Sequence, residues 1–319
     1  MTPAMPIFSK DAPGGPAAAP APADGPEGAN RPVPRILIVA GSDSGGGAGI
    51  QADIKAVTML GGHAMTAITA VTAQNSLAVT GVLPVPAEMV IAQIDAVAGD
   101  IGVDAVKIGM IGSPETAAAV AERLTSLDAS LRGGGPLPIV FDPVMVASSG
   151  SILADAATIA AFERLLAAAT LTTPNAPELA ALSGLPVATV GGLERAAVEL
   201  ARRTGCAVLA KGGHLPGDLL TDLLVDAAGE VIRFQSPRID SRHTHGTGCT
   251  LASGIACGLG AGLPLAEAVH RGRDFTRAAL EAAPGFGGGH GPMGHALGVV
   301  PFDIVSAGGR SSGAGPRTR

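Results

Sequence analysis

The sequence predicts an α/β fold of three layers, in which a mainly parallel central sheet carries helices on both of its faces. Short apolar runs alternate with helical patterns, and at least six such strands can be recognised. The chain has no Trp or Tyr and only seven Phe, so its core must be built from aliphatic side chains. Continuous aliphatic strands are typical of a parallel sheet that is buried on both faces.

Composition divides the 319 residues into one folded region and two tails. Residues 1–34 are rich in Pro, Ala and Gly, and such a segment buries too little apolar surface to offset the entropy lost on ordering. Residues 304–319 have the same character. We therefore predict disordered tails at 1–34 and 304–319 around a single domain at 35–303, a usual size for an α/β domain.

Composition also excludes several classes of function. The chain carries 21 basic and 27 acidic residues, so it lacks the positive charge and the aromatic side chains expected of a nucleic-acid-binding protein. No apolar run is long enough to span a membrane, and the N-terminus shows no signal-peptide pattern. The three cysteines have neither a metal-binding nor a paired-disulfide spacing. These features predict a cytoplasmic protein without nucleic-acid or membrane partners.

The first predicted strand, residues 35–41, leads through a glycine-rich loop at 42–49 into a helix. The loop is not a Walker A motif, because no lysine follows its glycines, and its glycines are not in the register of a dinucleotide-binding fingerprint. It does let a small ligand approach bare backbone. Asp53 is expected in the first turn of the helix, where the helix dipole favours a carboxylate. The apolar face of that helix is predicted to contain Ile50, Ile54, Val57 and Leu60.

The remaining elements follow from the same apolar patterns. We predict strands at residues 64–74, 79–85, 105–110, 138–145, 171–173 and 207–214, and an antiparallel hairpin at 219–225 and 230–234. We predict helices at residues 86–99, 114–127, 176 onwards, 191–204, 249–259 and 265–282.

Polar side chains follow several of the predicted strands. They are Gln74, Asp142, Asn175 with Glu178, and Lys211, and they are expected at one edge of the sheet, where open α/β sheets bind ligands. Gln74 can pair with the amine and ring nitrogen of a heterocycle, Asp142 can hold Mg²⁺, and Lys211 can contact phosphate. Structural interpretations remain open, because Gln74 can be satisfied by backbone and the Asn175–Glu178 spacing is that of a helix capping box.

The segment Gly246-Thr247-Gly248-Cys249, called the anion loop below, opens an apolar helix. A helix start offers unpaired N–H groups and the positive end of the helix dipole, which together favour an anion such as a phosphoryl group. The same pattern also occurs in an ordinary loop-to-helix turn. Because the segment falls at the same edge as the polar strand ends, the combination favours a phosphotransfer site.

Seven motifs, taken in order, resemble those of the hydroxymethylpyrimidine/phosphomethylpyrimidine kinase family of the ribokinase superfamily. The resemblance spans residues 35–295 and implies a ribokinase-like fold. It implies an enzyme that uses ATP and Mg²⁺ to phosphorylate 4-amino-5-hydroxymethyl-2-methylpyrimidine and then its monophosphate, for thiamine biosynthesis. The motifs are AGSDSGGGAGIQAD (40–53), TAQN (72–75), KIGM (107–110), DPVM (142–145), TPNAPE (173–178), KGGH (211–214) and THGTGCT (244–250).

The resemblance also implies roles for individual positions. It implies that Gln74 reads the polar edge of the pyrimidine, in a pocket lined by Gly41, Ala48, Asp53, Met110 and Val144. It implies that Gly246, Thr247, Gly248 and Cys249 surround the transferring phosphoryl group. Asp142 and Glu178 are implied to help hold Mg²⁺ and phosphate, while Asn175 and Lys211 lie beside the nucleotide. Relatives are commonly dimers, so a homodimer is expected.

Two positions depart from what related kinases carry. Ribokinase-like sugar kinases have an aspartate base where this chain has Cys249, and we expect the helix start to lower the pKa of that thiol towards a thiolate. We also hypothesise that a cysteine tolerates an anionic second acceptor, which an aspartate would repel. Many relatives carry a lysine where this chain has Ser148, so one phosphate-side cation is missing.

Three other functions compete with this hypothesis. Pyridoxal kinase has the same fold and a substrate with a similar hydroxymethyl-bearing ring. A catalytically silent ligand-binding module could retain the pocket, although the intact anion loop disfavours it. A nicotinamide-dependent oxidoreductase is disfavoured because the dinucleotide-binding fingerprint is missing.

Overall fold

The computed structural model describes residues 32–130, 135–301 and 304. Most of each predicted tail, 1–34 and 304–319, lies outside the described residues. The strands in chain order are β1 (Arg35–Asp43), β2 (His63–Gln74), β3 (Val79–Pro84), β4 (Ala105–Ile108), β5 (Ile139–Phe141), β6 (Leu171–Thr172), β7 (Ala207–Ala210), β8 (Leu219–Val225) and β9 (Val231–Pro237). The helices are α1 (Gly49–Met59), α2 (Ala87–Asp100), α3 (Pro114–Ser130), α4 (Ala156–Ala168), α5 (Ala176–Ser183), α6 (Val190–Thr204), α7 (Thr247–Gly260) and α8 (Leu265–Glu281).

These strands form a sheet of nine in the order β3-β2-β1-β4-β5-β6-β7-β8-β9 within the described residues. The six central strands, β2-β1-β4-β5-β6-β7, run parallel to one another. Strand β3 pairs antiparallel with β2 at one edge, and β8 and β9 continue the sheet antiparallel from β7 at the other edge. The parallel strands therefore end at one common edge. That edge is where the loops carrying the predicted site residues begin.

Strand β1 shows how the sheet separates two apolar layers. Leu37 and Val39 belong to a core cluster shared with α2, α3, α4, α5 and α6 on one face. Ile36 and Ile38 alternate with them and join a second cluster with α1, α7 and α8 on the other face. A strand buried on both faces must be apolar at every position, which explains its uninterrupted aliphatic sequence. The three-layer prediction is confirmed.

The helix ends follow local signals in the sequence. Thr189 caps α6 by accepting a hydrogen bond from the Gly192 N–H at 3.1 Å, and Gly205 ends that helix in the left-handed conformation with φ 75°. Helix α5 ends in the same way at Gly184, with φ 71°. Only glycine adopts this backbone conformation without strain, so these two positions set where the chain turns towards the next element.

The structure corrects four details of the prediction. Helix α4 was not predicted, although Asp155 caps its start by accepting a hydrogen bond from the Thr158 N–H. Strand β5 is shorter than the predicted 138–145, because the chain leaves the sheet at Asp142. Ile54 faces solvent with 37% exposure, while its neighbour Asp53 is buried, so the predicted apolar face is rotated. Asp53 also lies beyond the first turn of α1.

No helix in the described part of the chain combines the length and the apolar character needed to cross a bilayer.

Candidate functional site

A cavity of about 930 Å³ lies at the common edge where the parallel strands end. Its size suits a small ligand or a pair of them. All of the predicted site residues line this cavity except Asp53, which is fully buried. The loops after β1, β2, β4, β5, β6 and β7 therefore meet the start of α7 around one space, as expected for an open parallel sheet.

The anion loop forms the start of helix α7. Gly246 is the N-cap residue with φ 85° and ψ 8°, and a Cβ atom there would lie 1.9 Å from the Gly47 carbonyl oxygen. Only glycine fits this position, for both conformational and steric reasons. Among the described residues, no hydrogen bond uses the N–H groups of Gly248 and Cys249. These two amides are thus free to bind an anion in the cavity.

Strand tips bring two opposite charges next to the anion loop. The Lys211 ammonium lies 3.0 Å from Asp142 Oδ1, which also accepts a hydrogen bond from the Thr173 hydroxyl at 2.9 Å. A Cβ atom on Gly248 would lie 3.1 Å from Asp142 Oδ2 and 3.3 Å from Lys211 Nζ. The sequence predicts Asp142 and Lys211 at the ends of two separate strands, and the fold brings both side chains next to the backbone of the anion loop at Gly248.

Asn175 and Glu178 form the capping box that their spacing predicts. Asn175 Oδ1 accepts from the Glu178 N–H at 3.0 Å, and Glu178 Oε2 accepts from the Asn175 N–H at 2.8 Å. Both residues nevertheless line the cavity, so capping and ligand contact are compatible. Burial raises the pKa of Glu178 to about 7, with nearby Lys211 opposing the rise and Asp142 adding to it.

The donor set on this side of the cavity fits Mg²⁺, which uses one or two carboxylates together with phosphate oxygens and water. In the described part of the chain, Asp142 Oδ2 accepts no hydrogen bond, so one carboxylate oxygen is free for a cation or its water. Glu178 supplies a second carboxylate across the same space. No cluster of three or more His, Cys, Asp or Glu side chains suited to a metal occurs in the described residues.

The opposite side of the cavity is formed by the glycine-rich loop and Gln74. A Cβ atom on Gly41 would lie 2.3 Å from Met110 Cε, so a larger residue there would displace the end of the Met110 side chain. Asp43 organises the loop by accepting hydrogen bonds from three backbone N–H groups and from His245 Nε2, the latter at 2.9 Å. Burial would raise the pKa of Asp43, but these hydrogen bonds outweigh it and hold that pKa below its ordinary value.

Asp53 lies beneath the cavity. Its carboxylate bonds to Lys107 Nζ at 2.8 Å and to the Ser253 hydroxyl at 2.7 Å, and neither Asp53 nor Lys107 is exposed to solvent. Burial opposes the charge of Lys107, but the attraction of Asp53 outweighs it and raises the pKa of the lysine. Asp53 thus supports the residues that carry the site and is not part of the cavity wall.

Cys249 lines the cavity within the first turn of α7. Burial raises the pKa of its thiol to about 11, although the positive charge of Lys107 opposes that rise. The expected lowering by the helix start is therefore wrong, because loss of solvation outweighs the dipole. At neutral pH Cys249 is a thiol.

Several residues around the cavity had no role in the sequence-based prediction. Asp43, His245 and Lys107 lie within the recognised motifs, but their contacts join segments far apart in the chain. The sequence did contain a signal for a functional role of these three residues, since each is a charged or polar residue close to glycines or to the end of a strand. Ser148, which replaces a lysine of many relatives, lines the cavity in the segment between the bridged residues Val146 and Ile152.

The chain matches known proteins over nearly all of its described length. Residues 43–294 match the family model described as phosphomethylpyrimidine kinase. The hydroxymethylpyrimidine/phosphomethylpyrimidine kinase of Streptomyces coelicolor is 48% identical over 263 residues, covering 82% of this chain and 94% of that protein. The thiamine biosynthesis bifunctional protein ThiED of Geobacter sulfurreducens is 47% identical over 83% of this chain, which spans only 53% of that longer protein.

Solved structures of similar fold agree with these sequence matches. A Bacillus subtilis pyridoxal kinase in complex with ADP superposes with a TM-score of 0.75 at 30% identity, covering 83% of this chain and 98% of that one. A phosphomethylpyrimidine kinase from Clostridium difficile gives a TM-score of 0.66 at 35% identity, covering 78% and 99%. The predicted ribokinase-like fold is confirmed, and the chain belongs to the phosphomethylpyrimidine kinase family.

Proposed function

We propose that this chain uses ATP to phosphorylate the hydroxymethyl group of 4-amino-5-hydroxymethyl-2-methylpyrimidine, and then phosphorylates the monophosphate to the diphosphate, for thiamine biosynthesis. The observation that carries the proposal is the arrangement of the cavity. Free amides of Gly248 and Cys249 share it with Gln74 on one side and with the Lys211–Asp142 pair on the other. Relatives with 40–48% identity named as hydroxymethylpyrimidine/phosphomethylpyrimidine kinases support it.

Each group has a task in phosphoryl transfer, which depends mainly on positioning and on stabilising developing charge. The Gly248 and Cys249 amides bind the oxygens of the transferring phosphoryl group, and the Lys211 ammonium neutralises charge beside them. Gln74 holds the pyrimidine so that its hydroxymethyl group faces the anion loop. Cys249 enters the reaction as a neutral thiol, because its pKa is about 11.

We propose that Asp142 and Glu178 hold Mg²⁺ and that Asn175 and Lys211 lie beside the nucleotide. Magnesium supplies charge neutralisation of the phosphates when it is bound. Solved pyridoxal kinases of the same fold bind ADP and AMP-PCP, which supports nucleotide binding in the same cavity here. Chelation with EDTA is expected to abolish ADP release and added Mg²⁺ to restore it.

Pyridoxal phosphorylation is the second candidate function. The structural similarity to pyridoxal kinases, with TM-scores of 0.74 and 0.75, favours this second candidate. The sequence identity to those pyridoxal kinases, about 30%, is lower than the 40–48% identity to the pyrimidine kinases, which favours the first candidate. The two substrates both present a hydroxymethyl group next to a polar ring substituent. A cavity of about 930 Å³ accommodates either ring.

An assay of ADP release with three acceptors separates these possibilities. We expect the highest kcat/KM with the hydroxymethylpyrimidine, clear activity with its monophosphate and much slower turnover of pyridoxal. Turnover of pyridoxal alone would establish the second candidate instead. Absence of ADP release with every acceptor would reject both and favour a silent binding module.

The resemblance to known kinases also leads us to propose a cytoplasmic homodimer. Light scattering during size-exclusion chromatography is expected to give a mass of twice the chain mass of 31.2 kDa. A mass of one chain across a concentration series would contradict the dimer. Recovery in the membrane fraction of disrupted cells would contradict the cytoplasmic location.

A further inference from the structure

A row of side chains connects the glycine-rich loop with strand β2 and the anion loop. His245 Nε2 lies 2.9 Å from Asp43 Oδ2 and 3.2 Å from the Gln74 atom assigned as Nε2. The atom assigned as Gln74 Oε1 lies 3.3 Å from the Thr72 hydroxyl, which also lies 2.9 Å from the Ser42 carbonyl oxygen. The residue that faces the pyrimidine is therefore anchored at both ends of its amide.

The two ends of this row fix where the protons lie. Asp43 accepts three backbone N–H groups and its pKa is lowered, so its carboxylate is ionised and can only accept. His245 Nε2 must then carry a proton and donate it to Asp43. At the other end, the Ser42 carbonyl can only accept, so Thr72 spends its one hydroxyl proton there and can only accept from Gln74.

Oxygen and nitrogen of a carboxamide are told apart by their partners, because their shapes are nearly identical. At His245, Gln74 meets an N–H group whose nitrogen has no lone pair left to accept from an amide nitrogen, whereas at Thr72 it meets an acceptor. An amide oxygen at His245 can share the proton that is donated to Asp43, so these partners favour the reverse of the assigned oxygen and nitrogen positions. We propose that His245 is a positioning residue that fixes the Gln74 carboxamide with its oxygen towards the anion loop and its nitrogen towards Thr72, and that this polarity selects the orientation of the pyrimidine. The inference rests on the proposed function and adds the device that sets substrate orientation.

The polarity matters because the pyrimidine edge is itself polar. The 4-amino group donates and the adjacent ring N3 accepts, so the amino group pairs with the Gln74 oxygen and N3 with the Gln74 nitrogen. The amino group then lies on the side of His245, the residue next to Gly246. Carbon 5, which bears the hydroxymethyl group, adjoins the amino-bearing carbon, so that group is directed towards the anion loop. A reversed amide would turn it away.

The same polarity predicts discrimination against the 4-oxo analogue. In its keto form that ring presents a carbonyl acceptor where the amino group was and an N3–H donor beside it. In the productive orientation, the ring carbonyl would face the Gln74 oxygen and the ring N3–H would face the Gln74 nitrogen. Neither pair can form a hydrogen bond, and unpaired polar groups in such a site are strongly disfavoured. Discrimination between the two rings therefore reports the orientation of Gln74.

The decisive experiment compares kcat/KM for the 4-amino substrate and the 4-oxo analogue. We expect the wild type to prefer the 4-amino ring by a factor on the order of 10³. His245→Leu removes the donor and frees the amide to reverse, so the preference is expected to fall by a factor on the order of 10 or more. His245→Gln restores a donor and is expected to keep a preference near that of the wild type. Thr72→Val removes the other anchor and is expected to resemble His245→Leu.

His63→Leu is the matched control, because His63 is exposed at the opposite end of β2, and it is expected to leave the preference unchanged. Equal losses of activity on both rings in His245→Leu, with an unchanged ratio, would assign His245 a merely structural role and overturn the proposal. The proposed function has its own control, since a wild type without activity on the 4-amino ring rejects that function directly. Activity with an unchanged ratio rejects only the role of His245.

Nitrogen-15 NMR of labelled histidine tests the proton position without any activity readout. The His245 signals, identified by their loss in His245→Leu, are expected to show a protonated Nε2. A neutral ring protonated only on Nδ1 would overturn the inference.

Discussion

Lys107 Nζ lies 2.8 Å from Asp53 Oδ2, and neither side chain reaches solvent. The lysine comes from the centre of the sheet and the aspartate from α1, while Ser253 of α7 donates to the second carboxylate oxygen at 2.7 Å. The pair therefore ties together the sheet and the two helices whose starts border the cavity. A buried ion pair of this kind costs stability chiefly when one partner is removed.

Removing one member of that pair should strongly lower the free energy of unfolding. We expect Asp53→Asn to lower the free energy of unfolding by about 3–5 kcal/mol, because the Lys107 charge is left buried without a counter-ion. Urea unfolding followed by circular dichroism measures this. The control is Glu163→Gln, which breaks the exposed Arg203 pair and is expected to cost at most about 1 kcal/mol. Equal costs for the two variants would contradict the structural role of Asp53.

Lys211→Met is expected to impair catalysis in a protein that stays folded but has a lower free energy of unfolding, because Asp142 loses the ammonium that lies 3.0 Å away. The variant removes the ammonium next to the anion loop, and we expect kcat to fall by a factor on the order of 10² to 10³. Steady-state kinetics and thermal unfolding should be measured together, with Arg195→Met at an exposed position of helix α6 as the control. Full activity in Lys211→Met would exclude a charge-stabilising role.

Cys249 should resist alkylation at neutral pH. Its pKa of about 11, against about 8.5 for a free cysteine, leaves almost no thiolate near pH 7. The iodoacetamide reaction rate, followed by mass spectrometry, is expected to climb until at least pH 10. Cys249→Ser identifies the modified site, because Cys206 and Cys257 are buried. A rate that levels off below pH 8 would show that the thiolate forms after all.

Cys249→Asp tests why a cysteine occupies this position of the anion loop. An aspartate there would repel the anionic monophosphate but not the neutral alcohol. We therefore expect the second phosphorylation to lose at least about tenfold more kcat/KM than the first. The two half-reactions are assayed separately, and Cys249→Ser controls for loss of the thiol. An undiminished second phosphorylation would reject the hypothesis.

His295 should make the protein sensitive to acid. Burial lowers the pKa of this imidazole to about 4, and its Nε2 lies 2.8 Å from the Thr250 hydroxyl of α7. The folded state keeps the ring neutral while the unfolded state protonates it near pH 6.5, so stability present above pH 6.5 is lost as the pH falls towards 4. The loss is roughly 3 kcal/mol for this group. Urea unfolding at several pH values should show a flatter dependence in His295→Gln, and an unchanged slope would contradict this assignment.

Local patterns predicted the elements because each carries its own signal. Ile36, Leu37, Ile38 and Val39 are all buried, on alternating faces of the sheet, and this requires an apolar run that is visible in the sequence. The Asn175–Glu178 capping box was equally legible. Helix α4 was missed although its Asp155 cap was available.

Contacts between distant segments could not be predicted from the residues alone. Nothing near Asp53 in the sequence points to Lys107, and the burial of that pair depends on how α1 packs against the sheet. The pKa of Cys249 was predicted in the wrong direction for the same reason, since the depth of the thiol depends on the surrounding elements. The Asp43–His245 contact likewise joins the loop after β1 to the segment before α7.

The contact of Gly246 with the Gly47 carbonyl has a consequence for how the enzyme is made. A Cβ atom at Gly246 would lie 1.9 Å from that oxygen, so the two loops must fit together before the cavity is complete. During translation the ribosome releases the first loop long before the second. A nascent chain that ends short of α7 therefore has all nine of the described strands but lacks the proposed phosphoryl site, and we expect catalytic competence only with the last quarter of synthesis.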